Sequence, residues 1–227
     1  MRIGCVPYLN AVPLIQGLRD VRFAPPRALT ALFRDGELDV ALLPAVEWSD
    51  VTAFQPVPGI AIAARGACDS VRVHLRRPLD EVRTVALDPH SLTSNDLARF
   101  VLRGRVIEFV ESGPADAELT IGDPTLARPA ENTLDLAAEW LAETRKPFVF
   151  ALWLTHEPDR CGFLAEAKAA GLARLEAIAA EEAPRRGIDP ERARIYLTER
   201  MHYDFGPDER AGLEDFRTWR EWYRTGR

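Results

Sequence analysis

Two short stretches carry the residue types that hold an anion. The first is Pro7-Tyr8-Leu9-Asn10, set between the apolar run Arg2–Val6 and the segment Val12–Leu18. The second is Ser91-Leu92-Thr93-Ser94-Asn95, which follows Thr84–Leu87. Asn10 offers an amide, Tyr8 a phenol, and Ser91, Thr93 and Ser94 three hydroxyls, all able to donate to a carboxylate oxygen. Each stretch reads as the joint between a strand and a following helix. Open α/β sheets bind ligands at the carboxyl ends of their strands. There the first turn of a helix presents unpaired N–H groups and a partial positive charge. An anion with two acidic groups, held from two sides, suits this pattern. The same residue types also serve as plain N-caps, and that alternative stays open here. Gly122-Asp123-Pro124 is a third strand-end turn, which turn chemistry alone would explain.

Other chemistries lack their signatures. The chain has no GxGxxG, no Walker loop, no GxSxG elbow and no HExxH. Cys5, Cys68 and Cys161 are odd in number and widely spaced, and His74, His90, His156 and His202 lie far apart. Neither set resembles a metal site or a disulfide framework, so no metal is expected. No Asp/Glu couple stands out as a general acid and base. An enzyme built on these residues would rely on positioning and electrostatics more than on a strong base.

Composition narrows the partners. The 227 residues carry a formal net charge of -6, which argues against non-specific nucleic-acid binding. Hydrophobic residues make up 47% of the chain, enough for one large domain or two small ones. No apolar stretch approaches the ~20 residues of a membrane span. Pro7, Asn10 and Pro13 interrupt the first apolar run, so no export signal is read and a cytoplasmic location with no membrane partner is expected.

The elements that position the two joints alternate between strand and helix, which predicts α/β layering. Strands are expected at Arg2–Val6, Val21–Phe23 and Leu38–Leu43, with helices at Val12–Leu18 and Arg27–Phe33. Ile60–Ala64 and Ser70–Leu75 read as a pair of strands. Thr84–Leu87, Val106–Val110 and Glu118–Ile121 read as strands around a helix over Ser91–Leu102, and Asp135–Glu143 as a further helix. Pro147–Leu154 (PFVFALWL) is aromatic and β-branched throughout and gives the strongest strand signal. A long helix is predicted over Leu164–Glu182, another from Asp189-Pro190 to about Met201, and a last one over Pro207–Tyr223. The block 83–147 has its own strand and helix set and no Gly/Ser linker. It reads as a second lobe inserted into a first one made of 1–82 and 148–227, with a cleft that can hinge shut.

Taken in order, the blocks VPYLNAVPL, GELDVALLPAVEW, SVRVHL, VALDPHSLTSNDL, LTIGDPTL, DLAAEWLAETRKPFVFALW and IYLTERMHYDFGPDERAGLEDF span most of the chain. Together they resemble the chorismate dehydratase family of the futalosine route to menaquinone. The resemblance implies a two-lobed type 2 periplasmic-binding-protein-like fold with a central ligand cleft and a helical C-terminal segment. It implies a cofactor-free hydro-lyase that removes water from chorismate to give 3-[(1-carboxyvinyl)oxy]benzoate. It carries Asn10 over as the catalytic residue, orienting the substrate, because an amide is too weak a base to take the proton. The substrate's own enolpyruvyl carboxylate is the base this implies. Ser91, Thr93 and Ser94 are carried over as a carboxylate grip, Tyr8 and Ser70 as lining of the cleft, and Asp123 as a residue that orients a donor or borders the pocket. The chain departs from many relatives at Pro7 and at Pro44-Ala45, where serines are common. A non-catalytic solute-binding module for a small carboxylate and the sister dihydroxynaphthoate synthase on the same fold are the alternatives. A homodimer is an open alternative to a monomer.

Overall fold

A computed structural model of the chain describes residues 1–50, 53–111, 113–128 and 131–226. The chain opens with β1 (Ile3–Cys5), a 3-10 helix (Leu9–Ile15) and β2 (Val21–Phe23), followed by α1 (Pro26–Arg34), β3 (Val40–Pro44), α2 (Val46–Asp50) and β4 (Gln55–Ala64). After a crossing come β5 (Val71–Leu75), β6 (Thr84–Ala86), α3 (Thr93–Leu102), β7 (Glu108–Val110), β8 (Ala117–Ile121), α4 (Asp123–Ala127), β9 (Thr133–Asp135) and α5 (Leu136–Thr144). The chain then returns through β10 (Phe148–Thr155) and a short 3-10 turn (Pro158–Arg160). It ends with α6 (Gly162–Leu172), α7 (Leu175–Arg186), α8 (Pro190–Ile195), a π-helical turn (Tyr196–Arg200), β11 (Met201–His202) and α9 (Pro207–Thr225).

Two sheets form two lobes. The first has the order β11-β4-β10-β3-β1-β2 and the second β7-β6-β8-β5-β9. In the first, β1 runs parallel to β2 and β3, while β10 runs antiparallel to β3 and β4. In the second, β6 runs parallel to β7 and β8, and β5 runs antiparallel to β8 and β9. Val40–Pro44 is buried along its whole length, as its unbroken apolar run requires of a central strand.

Several sequence expectations shift. Ile60–Ala64 and Ser70–Leu75 do not pair with each other: the first lies in one sheet and the second in the other. The second sheet therefore takes in chain from residue 71, ahead of the expected start at 83. The helix expected over Val12–Leu18 is a 3-10 helix over Leu9–Ile15, with Pro13 inside it. The single helix expected over Leu164–Glu182 is two, broken at Ala173 and Arg174. Its first half lies so close to the 3-10 helix that a Cβ on Gly171 would stand 1.8 Å from the Pro13 carbonyl oxygen. Arg174 then leaves the helical conformation and donates to Gln16 and Glu181. The C-terminal third is helical except for β11, which joins the edge of the first sheet.

An aromatic cluster ties the lobes together at the second crossing. Trp140 of α5 packs edge-on against Phe148 of β10 and Phe216 of α9, and stands 4.7 Å from Phe100 of α3. The Trp140 indole N–H donates to the Pro147 carbonyl at 3.3 Å. Burying each of these rings stabilises the fold by roughly 2–3 kcal/mol. At the first crossing, Asp135 caps α5 by accepting from Ala137 and Ala138, and its oxygens also accept from the N–H groups of Cys68 and Asp69. One partly buried carboxylate thus fixes a helix start and the crossing beside it.

Candidate active site

The carboxyl ends of β1, β3, β6 and β8 converge on a cleft between the two sheets, and the space in it that is open to solvent is about 560 Å³. Leu42, Pro44, Ile62, Phe150 and Ala151 of the first sheet make an apolar floor. Polar groups enter from both lobes: Tyr8 and Asn10 on one side, Ser70, Ser91, Thr93 and Ser94 on the other. The structure thus brings six of the seven sequence-derived site residues to one cavity. Among the described lining residues Tyr8 is the only titratable side chain. Burial pushes its phenol up to about 12, helped by the negative charges of Asp88 and Asp123, so it remains a neutral donor at ordinary pH.

Asn10 sits in the first turn of the 3-10 helix. Its Oδ1 is buried and has no hydrogen-bond partner among the described residues. An unpaired buried amide oxygen destabilises a fold by about 1–3 kcal/mol, so structure alone gives no reason to keep it there. Tyr8 is seated by Gly122. That glycine takes φ 68°, and a Cβ on it would stand 2.7 Å from the Tyr8 ring. A residue with a side chain would suffer both the left-handed strain and the clash.

The second joint is braced by its own hydrogen bonds. Ser91 Oγ accepts from the Ser94 N–H at 3.1 Å, so Ser91 works as a cap for the start of α3. Asn95 donates to the carbonyls of Asp88 and Ser91 and accepts from the Asp88 N–H, which braces the loop before the helix. Thr93 Oγ1 accepts from the Val46 N–H of the other lobe at 3.4 Å. All three hydroxyl residues are nearly fully buried, at 3–5% exposure, yet border the cleft.

Asp123 is the seventh residue and does not line the cavity. Its Oδ1 accepts from the Leu9 N–H at 2.8 Å, and its Oδ2 pairs with Arg186. Arg186 also donates to the Pro7 carbonyl at 2.7 Å and to Glu182 at 2.9 Å. Burial opposes the Arg186 charge, but Asp123 and Glu182 outweigh it and hold the guanidinium above its ordinary value. Asp123 therefore fixes the backbone of the Tyr8–Asn10 loop across the lobes. Sequence reasoning missed Arg186, because nothing in the run APRRG marks one arginine over its neighbour. Pro7 is exposed and meets the site only through its carbonyl, whereas Pro44 lines the cleft.

Among the described residues no helix is long and apolar enough to cross a membrane. Cys5, Cys68 and Cys161 are free and buried.

The fold has close relatives among solved structures. A crystal structure of a protein from Archaeoglobus fulgidus superposes with TM-score 0.78 at 16% identity, covering 99% of this chain and 97% of that one. The periplasmic aliphatic sulphonate binding protein of Escherichia coli superposes with TM-score 0.64 at 15% identity, over 99% of this chain and 92% of that one. These show the two-lobed periplasmic-binding-protein-like fold. In sequence, the chain is 28% identical to the chorismate dehydratase of Thermus thermophilus over 94% of its length and 93% of that protein. The model of the family described as menaquinone biosynthesis matches residues 1–221, and the chain belongs to that family.

Proposed function

We propose that the chain is a chorismate dehydratase: a hydro-lyase that takes chorismate to 3-[(1-carboxyvinyl)oxy]benzoate and water. The family and the similarity to the Thermus thermophilus enzyme support this reading. The observation that carries it is the chemistry of the cleft: hydroxyl and amide donors from both lobes above an apolar floor, and among the described lining residues no carboxylate, imidazole or amine to act as base. That lining suits a substrate that brings its own base.

The steps follow from this. The ring packs over Phe150 and Ile62, while the α3 start with Ser91, Thr93 and Ser94 receives one carboxylate. Asn10 hydrogen-bonds the substrate and orients its second carboxylate toward the ring proton. That carboxylate takes the proton from the ring carbon, the C–H electrons enter the ring, and the neighbouring C–O bond breaks. The departing hydroxide takes that same proton from the new carboxylic acid and leaves as water, which restores the carboxylate. Aromatisation supplies much of the driving force, so the protein's part is to hold one conformer and exclude water.

Incubating the purified protein with chorismate and following the diene absorbance tests the reading. Loss of the diene with an aromatic product supports it. Tight binding by folded protein without conversion would instead favour a solute-binding role. Turnover of a cyclic futalosine derivative in place of chorismate would favour the sister synthase.

A further inference from the structure

The block IYLTERMHYDF lies far from the two joints in sequence, yet it reaches the cleft through one bond. The Tyr196 phenol donates to Ser70 Oγ at 2.9 Å. Both residues are almost entirely buried, at 1% and 2% exposure. Ser70 lines the cleft, while Tyr196 lies behind it. Tyr196 opens the π-helical turn Tyr196–Arg200, a form that is rare and concentrated at functional sites.

The direction of this bond decides what Ser70 can do. A buried tyrosine hydroxyl is most stable with its proton on an acceptor, and Ser70 Oγ is the one acceptor that Tyr196 has among the described residues. Were Ser70 to donate to Tyr196 instead, the phenol proton would be left buried and unpaired. With the phenol donating, the Ser70 proton is free, and the open side of Ser70 is the cleft. Its main chain is fixed as well: the Ser70 N–H donates to the Cys68 carbonyl at 2.7 Å, and its carbonyl accepts from the Gly122 N–H at 2.8 Å. Gly122 in turn seats Tyr8.

We infer that Tyr196 is a positioning residue that commits Ser70 to donate into the cleft, so that the ligand group beside Ser70 is an acceptor, a carboxylate or ether oxygen. This deepens the proposed function and rests on it. Tyr196 touches no ligand; it acts through Ser70. Polarised by the phenol, the Ser70 O–H is also a stronger donor than an isolated serine.

A double-mutant cycle on steady-state turnover of chorismate tests this. Ser70→Ala should raise KM about tenfold, the loss of one hydrogen bond, with kcat within about twofold. Tyr196→Phe should raise KM about three- to tenfold at similar kcat. In the Ser70→Ala background, Tyr196→Phe should change KM by less than about twofold. A role in packing alone would lower the melting temperature and leave KM in place. An unchanged KM in Tyr196→Phe, or additive effects in the double variant, overturns the inference while leaving the proposed activity standing. A folded wild type that neither binds nor converts chorismate overturns both. Should Tyr196→Phe fail to fold, 3-fluorotyrosine incorporated in a Tyr8→Phe background makes the phenol a stronger donor without removing it. KM should then fall when Ser70 is present and stay constant in Ser70→Ala; no difference between the two overturns the inference.

Discussion

Asp123 and Arg186 sit on opposite lobes, and their charged groups meet beside the carbonyl of Pro7. The same aspartate accepts the Leu9 N–H, so the loop that carries Tyr8 and Asn10 is held from both ends. Both side chains are largely buried, at 16% and 18% exposure. Removing one partner leaves the other uncompensated, which is the expensive case for a buried pair. Asp123→Ala is expected to lower stability by about 2–4 kcal/mol, and Asp123→Asn by less, since the amide oxygen still accepts from Leu9. Urea unfolding of the three proteins checks this; equal midpoints would show that the pair does not bind the lobes.

Asn10→Ala should leave the melting temperature nearly unchanged or slightly raised, because it removes a buried oxygen that has no partner among the described residues. It should lower kcat/KM for chorismate by at least ~10²-fold, the scale of a lost positioning contact in a desolvated site. Thermal melting and initial rates on one preparation separate the two effects. A large drop in stability would reassign Asn10 to the scaffold.

Ser91 and Ser94 should part ways. Ser91 Oγ caps the Ser94 N–H, so Ser91→Ala should lower stability by about 1 kcal/mol. Among the described residues the Ser94 hydroxyl has no hydrogen-bond partner, so Ser94→Ala should mainly raise KM, by about tenfold, with kcat unchanged. An unaltered KM in Ser94→Ala would make the whole segment a plain helix start.

The pH dependence follows from the lining. Tyr8 is the one described titratable residue there, and it stays protonated until about pH 12. A phenol raised above its ordinary value of about 10 contributes stability that is complete below that pH and is lost as pH rises toward 12. Between pH 6 and 9.5, kcat/KM for chorismate should therefore vary by less than about threefold. A bell-shaped profile in that window would reveal a protein base and contradict the substrate-base mechanism.

Much of this was legible in the chain. Pro147–Leu154 announced the long buried strand β10, and Asp189-Pro190 announced a capped helix, with Asp189 accepting from the Arg192 N–H at 2.9 Å. The two joints were legible because strand-to-helix turns rich in Ser, Thr and Asn are local patterns. What stayed hidden is non-local. Alternation shows that Val71–Leu75 is a strand but not which sheet takes it. The break at Ala173 and Arg174 depends on the 3-10 helix packed beneath Gly171, more than 150 residues earlier in the chain. Arg186 meets residues 63 and 179 positions away, and Tyr196 meets one 126 positions away. No spacing rule links such residues; only the packing of the folded chain does.

The most direct test of the account is mass-spectrometric analysis of chorismate incubated with the wild-type protein and with the Asn10→Ala variant, each verified as folded. The account predicts that the wild type yields 3-[(1-carboxyvinyl)oxy]benzoate, one water lighter than chorismate, and that the variant forms it at least ~10²-fold more slowly. Recovery of unchanged chorismate from the wild type, or equal rates from the two proteins, would contradict it.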